Sequence, residues 1–288
     1  MTTVSDAPED KKMPLLDHLI ELRQRLLYSV IALLVVFLVC FYFAQPIFQY
    51  LAQPLADVMR DHDIGEQQRR LIFTALTEVF FTYVKVAFFA AAFICFPIFL
   101  VQFWLFVAPG LYRHEKSALA PFLAATPFLF FLGGALVYYI IFPFAAEFFI
   151  AFEVPETDTT LPIQLEPKVN EYLSLMMQLI FAFGLCFQLP VVMTLLARVG
   201  LATSKGMAAK RKYAIVGVFI VAAIFTPPDP LSQLSLAIPI IILYEISILM
   251  AKMVEKKRAE KEGEDDLDLG DDDLDPDDDG AENVPPAP

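Results

Sequence analysis

Long apolar runs alternate with short polar clusters along this chain, and that alternation predicts its elements. Leu26–Ala44 is nearly uncharged over 19 residues, enough for a helix to cross a hydrocarbon core of about 30 Å. Val79–Val107 is apolar for 29 residues except Lys85, with a kink available at Pro97. Leu119–Phe142 predicts a third span, carrying Pro121, Pro127 and the Gly133–Gly134 pair. Tyr172–Ala197 predicts a fourth, with Gln178, Gln188 and Pro190 inside it. Tyr213–Phe225 offers only 13 apolar residues, about 20 Å of helix. A tight turn through Thr226, Pro227, Pro228, Asp229 and Pro230 follows, and Leu234–Met250 returns with Pro239 and Glu245 inside. So short a hairpin must thin the bilayer locally or sit shielded by its neighbours.

The polar stretches fill in the rest. Met1–Lys12 is polar and predicts a disordered start without a cleavable leader, and Pro14 suits a first helical turn. In Leu15–Leu27, Asp17, His18, Glu21, Gln24 and Arg25 share one face, while Leu15, Leu16, Leu19, Leu22 and Leu26 share the other. That amphipathic segment is expected to lie at the interface before the chain turns into the membrane, with Arg23 projecting from its apolar side. Gln45–Thr77 predicts two short helices at the far surface, and Phe144–Glu171 an outer loop. If the N-terminus is cytoplasmic, that side collects Lys11, Lys12, Arg23, Arg25, Arg113, Lys116, Arg198, the Lys205–Lys212 cluster and the basic run after Met250. The other side holds Arg60, Arg69, Arg70 and Lys168, so Lys and Arg counting puts both ends inside. The expected organisation is a cytoplasmic segment at 1–25, a six-helix transmembrane domain at 26–251, and a basic, then acidic and disordered tail at 252–288.

Composition agrees with an all-α polytopic membrane protein: 57% of residues are hydrophobic, 19% are charged, and Phe occurs 28 times. The net charge of −13 comes in large part from the tail after Glu260, so it says little about substrates. Cys40, Cys95 and Cys186 each lie in an apolar run without a CxxC spacing and read as packing residues. His18, His62 and His114 are scattered and make no metal site. The chain carries no P-loop, HExxH or GxSxG. No enzyme activity, cofactor, metal or nucleic-acid partner is expected, and any work must come from an ion gradient or from partners.

The candidate chemistry sits at the membrane boundaries. Phe103–Lys116 reads FWLFVAPGLYRHEK and places Glu115 at the cytoplasmic rim, with Glu21 on the same side. Both have local partners in reach, Arg25 for Glu21, and Arg113 or Lys116 for Glu115. The sharper reading is that these carboxylates accept guanidinium groups, whose planar fork they match better than an ammonium. Gln188 and Glu245 are polar groups within spans, where such residues face a bundle interior or a partner. Glu245 has Lys252 as an available local partner.

Several stretches together resemble the TatC family of twin-arginine translocase subunits, from about Met13 to Arg258. They are HLIELRQRL at His18–Leu26, QFWLFVAPGLYRHEK at Gln102–Lys116, FGLCFQLPV at Phe183–Val191, KRKYAIVGVFIVAAIFTPPDPLSQ at Lys210–Gln233 and AIPIIILYEI at Ala237–Ile246. The resemblance implies a curved, glove-like arrangement of six helices and a receptor role in export of folded proteins. It implies that Glu21, Arg23, Phe106 and Glu115 recognise signal peptides bearing consecutive arginines. It also implies partner or translocation roles for Pro54, Gln188, Asp229 and Glu245. Some members carry Glu at the Gln188 position. The implied partners are the single-span TatA and TatB proteins within a homo-oligomeric complex in bacterial inner-membrane lipid, driven by the proton-motive force. An ion-coupled small-molecule transporter, with Lys85, Gln188 and Glu245 along its path, is the competing reading.

Overall fold

A computed structural model describes residues 15–61, 70–107, 116–154, 161, 163–226 and 230–268. Helix α1 runs unbroken over Leu15–Tyr42. The expected turn from interface into membrane is absent, because nothing between Leu15 and Tyr42 breaks a helix: there is neither Gly nor Pro. Helix α2 (Ala44–Asp61) follows almost directly, with Pro54 inside it. It is amphipathic, burying Leu51, Leu55, Val58 and Met59 and exposing Gln49, Gln53, Asp57 and Arg60. Only this one helix occupies the described part of Gln45–Thr77, where two were expected.

Helix α3 (Glu78–Val107) accommodates Pro97 without interruption. Helix α4 (Lys116–Leu136) passes through a π-turn at Val137–Ile141 into α5 (Phe142–Ile150). The third span therefore reaches well past the expected end at Phe142. Pro143 looks like a stop, but it sits at the first turn of α5, where its missing N–H costs little. The chain returns through α6 (Val169–Cys186) and α7 (Leu189–Arg198), separated by a break at Phe187 and Gln188 just ahead of Pro190. The short α8 (Ser204–Ala209) leads into α9 (Arg211–Phe225) and the 39-residue α10 (Pro230–Asp268). That last helix carries the chain past Glu260, where an unstructured tail was expected; the Lys256–Glu260 pair, 3.6 Å apart, sits on its surface at helical spacing.

Five of these stretches are long and apolar enough to cross a membrane: Leu19–Tyr42, Glu78–Phe103, Ala124–Ile150, Val169–Arg198 and Ser232–Lys257. At 15 residues α9 spans only about 22 Å and falls short of them. Among the described residues, extended pairing is confined to two isolated bridges, Ile72 with Lys168 and Val154 with Ile163. The protein is an all-α, polytopic membrane protein.

Helix α6 forms the centre, with Leu173, Met176 and Phe183 fully buried. It packs so closely on α4 that a Cβ on Gly133 would stand 2.8 Å from the Phe183 carbonyl oxygen. A Cβ on Gly184 would stand 2.5 Å from the Phe130 ring. Small residues at a membrane helix contact let backbones approach and gain dispersion that lipid cannot supply. A cluster of Phe93, Phe96, Phe130 and Phe181 rings, with Phe96 stacked on Phe130, fills the same seam.

The hairpin of α9 and α10 is set low. Gln178 Nε2 donates to the Ile224 carbonyl at 3.5 Å. Gln178 lies nine residues inward from the outer start of α6, so Ile224, at the end of α9, sits about 13 Å below that level. At the inner side α10 clamps the short α8: Tyr244 donates to the Met207 carbonyl at 2.9 Å, and the Glu255 carboxylate accepts the Ser204 N–H at 2.6 Å.

Candidate functional site

The inner rim is built where α1 meets the end of α3. These helices run antiparallel, and Arg25 fixes their register. Its guanidinium donates to the Glu21 carboxylate through Nε at 3.0 Å and through Nη2. Its Nη1 donates to Gln102 Oε1 at 3.2 Å. Glu21 lies one turn inward of Arg25 on α1, and Phe106 one turn inward of Gln102 on α3. The antiparallel register therefore sets Glu21 level with Phe106. The Glu21 and Arg25 side chains keep 24% and 23% of their surface accessible, so the pair is partly desolvated yet open to exchange. Arg23 is exposed on the same turn. Glu115 lies outside the described residues; its neighbour Lys116 begins α4.

Gln102 is a residue the sequence did not single out. The only signal for it is an amide inside the apolar stretch that ends α3. It ties the rim of one helix to the other across 77 positions of chain.

The residues expected to serve partners or translocation occupy separate places. Pro54 is buried in α2. Lacking an N–H, it leaves the Tyr50 carbonyl without its helical donor, and the Tyr138 hydroxyl supplies one at 2.7 Å. The π-turn that carries Tyr138 also presents Tyr139, whose hydroxyl lies 3.1 Å from that of Tyr50. That bond, then partial burial, holds the Tyr50 phenol above its ordinary pKa, so it remains a neutral hydrogen-bonding group. Tyr172 adds a third link, donating to the Leu51 carbonyl at 2.8 Å. Tyr138 also went unremarked in sequence, where a tyrosine pair in an apolar run carries no distinguishing mark.

Gln188 is buried at the break between α6 and α7. Its Nε2 donates to the Thr126 carbonyl at 3.1 Å and to the Gly184 carbonyl at 3.4 Å. Its Oε1 is buried and accepts no hydrogen bond among the described residues. Glu245 pairs with Arg211 at 2.8 Å, from α10 to the start of α9, rather than with Lys252. Asp229 lies outside the described residues. Lys85 donates to Asn170 Oδ1 at 2.8 Å. Lys85, Gln188 and Glu245 thus bind three different sets of neighbours.

Comparisons with known proteins agree on one family. Residues 17–239 match the family model described as TatC, Sec-independent protein translocase protein. The chain is 49% identical over 253 residues to the Sec-independent protein translocase protein TatC of Magnetococcus marinus, covering 88% of this chain and 89% of that one. It is 37% identical over 249 residues to the Escherichia coli K12 protein of the same name, covering 86% and 92%. A crystal structure of the twin-arginine translocase receptor TatC superposes with a TM-score of 0.70 at 36% identity, covering 83% of this chain and 99% of that one. These relatives are protein translocase components and not enzymes. The chain belongs to the TatC family of Sec-independent protein translocase proteins, multi-pass proteins of the bacterial inner membrane.

Proposed function

We propose that the inner rim is a receptor for twin-arginine signal peptides, with Glu21 and Glu115 accepting the peptide's guanidinium groups. Phe106 offers an apolar contact beside Glu21, and Arg23 contacts the peptide or the lipid phosphates around it. The single observation that carries this reading is the Arg25 bridge. Glu21 already holds a guanidinium, so its carboxylate has the geometry and the partial desolvation that an incoming arginine needs. Arg25 keeps its bond to Gln102 when it releases Glu21, which offsets part of the loss for any incoming cation, so the fork decides between leaders. A charge-assisted bond to the incoming fork contributes roughly 1.5–3 kcal/mol, and a lysine lacks the fork.

Partner helices, the single-span TatA and TatB proteins in this reading, engage the polar groups elsewhere on the chain. Gln188 suits this because its Oε1 is an acceptor without a donor: leaving such a group buried costs about 1–3 kcal/mol, and a partner's hydroxyl or amide would recover it. The Glu245–Arg211 pair and the outer elements at Pro54 and Asp229 are further contact points in a homo-oligomeric complex. No covalent step or cofactor enters; the proton-motive force drives transport.

The test is site-specific photocrosslinking from positions 21 and 115 to a synthetic leader carrying either paired arginines or paired lysines. The expected result is labelling by the arginine leader from both positions and weak labelling by the lysine leader. Equal labelling by the two leaders, or none from either position, overturns the assignment.

A further inference from the structure

An outer-side cavity of 490 Å³ lies between α5, α6, the start of α10 and Leu55 of α2. None of the groups discussed for recognition or partner binding lines it. Its floor is apolar, with Phe142, Phe149, Leu175 and Leu179, and its mouth carries Glu166, Lys168 and Glu171.

The wall that bears those charges is fixed. Val154 and Ile163 exchange backbone hydrogen bonds of 2.9 and 3.0 Å. The Glu153 carboxylate accepts the Leu165 N–H at 2.9 Å. Ile72 donates to the Pro167 carbonyl at 3.1 Å and accepts from Val169 at 2.9 Å. Segment 163–169 is therefore tied to α5's end on one side and to the strand-like residue Ile72 on the other. Below the wall, α9 meets α6 at Gln178 through the Ile224 carbonyl and α10 begins at the cavity's edge with Ser232, so a step is left above them and the cavity opens there.

We propose that this cavity holds one outer-leaflet phospholipid with an ammonium-bearing headgroup, of the phosphatidylethanolamine class. Charge selects the headgroup. Two carboxylates and one ammonium suit a zwitterion: Glu166 and Glu171 take its ammonium and Lys168 its phosphate. Lys168 Nζ lies 3.4 Å from Glu171 Oε1, so opposite charges already stand side by side at the spacing such a headgroup presents. A net anionic lipid meets an excess of negative charge. The volume suits one acyl chain and part of a headgroup, with the lipid's other chain left in the bilayer, whereas a helical rod of about 10 Å diameter would engage it over only a single turn or so. An acyl chain fits along Glu171, Leu175 and Leu179, which succeed one another at four-residue spacing on one face of α6. A lipid seated there fills the step above the hairpin with hydrocarbon and keeps water off the outer end of α6.

The experiment uses the full chain in nanodiscs of equimolar phosphatidylethanolamine and phosphatidylglycerol, released into the gas phase for native mass spectrometry. Wild type retains phosphatidylethanolamine over phosphatidylglycerol by at least about threefold, the scale of partly exposed ion pairs. Glu166→Gln with Glu171→Gln brings the ratio to parity, and Leu175→Trp, which fills the slot, removes retention. Parity in wild type, or an unchanged preference in the double variant, overturns the proposal. Should the variants fold poorly, Leu175→p-benzoylphenylalanine decides it. A phosphatidylethanolamine adduct after irradiation supports the site, and an adduct to protein or to phosphatidylglycerol contradicts it.

Discussion

The Tyr138 hydroxyl donates at 2.7 Å to the Tyr50 carbonyl, the acceptor that Pro54 leaves without its helical donor. The Tyr50 carbonyl so orphaned is answered by a side chain 88 positions away from it. The stacked rings of Tyr50 and Tyr138, with centroids 4.7 Å apart, lie against the same contact. The amphipathic α2 is thereby fixed across the outer end of α4 and α5.

A double-mutant cycle tests that relationship. Tyr138→Phe lowers stability in detergent by about 1–2 kcal/mol, the cost of a lost hydrogen bond at a partly buried acceptor. In a Pro54→Ala background the cost shrinks, because the substitution returns a backbone N–H to the Tyr50 carbonyl. Equal costs in both backgrounds, read from unfolding midpoints, show that the two residues are independent.

The α4–α6 seam is sensitive to a single methyl. Gly184→Ala places a Cβ 2.5 Å from the Phe130 ring, an overpacking that costs about 1–3 kcal/mol. Phe130→Leu combined with Gly184→Ala recovers part of that loss. Unfolding that is indifferent to Gly184→Ala contradicts the packing.

Gln102 holds the inner register, so Gln102→Leu loosens it without preventing insertion. A short bismaleimide bridges Glu21→Cys and Phe106→Cys efficiently in an otherwise native chain and several-fold less after Gln102→Leu. Bridging unaffected by Gln102→Leu places the register elsewhere.

The apolar runs were legible in the sequence, because hydropathy acts locally. Three features escaped for physical reasons. The amphipathic start merges into the first span because no residue there interrupts a helix, so α1 is one rod. Pro143 marks an apparent stop, yet the π-turn before it lets the helix continue to Ile150. Glu245 has Lys252 nearby in sequence, but the antiparallel hairpin brings Arg211 to it from 34 positions away. The same limit hid Gln102 and Tyr138, whose partners are set by helix pairing and not by spacing.

The low hairpin also bears on assembly. Adding one apolar turn to α9 raises its end by about 5 Å, past Gln178, and narrows the step on the outer side. Co-purification of the single-span partners then falls, while insertion of the chain itself is retained. Undiminished co-purification separates hairpin length from partner binding.

Equilibrium binding of leader peptides to the nanodisc-embedded chain tests the rim most directly. The arginine leader binds about tenfold or more tightly than its lysine counterpart, the scale of one fork-shaped, charge-assisted bond. Glu21→Gln and Glu115→Gln each erase that preference and leave the lysine leader's affinity nearly unchanged. A preference that survives both substitutions contradicts carboxylate recognition at this rim.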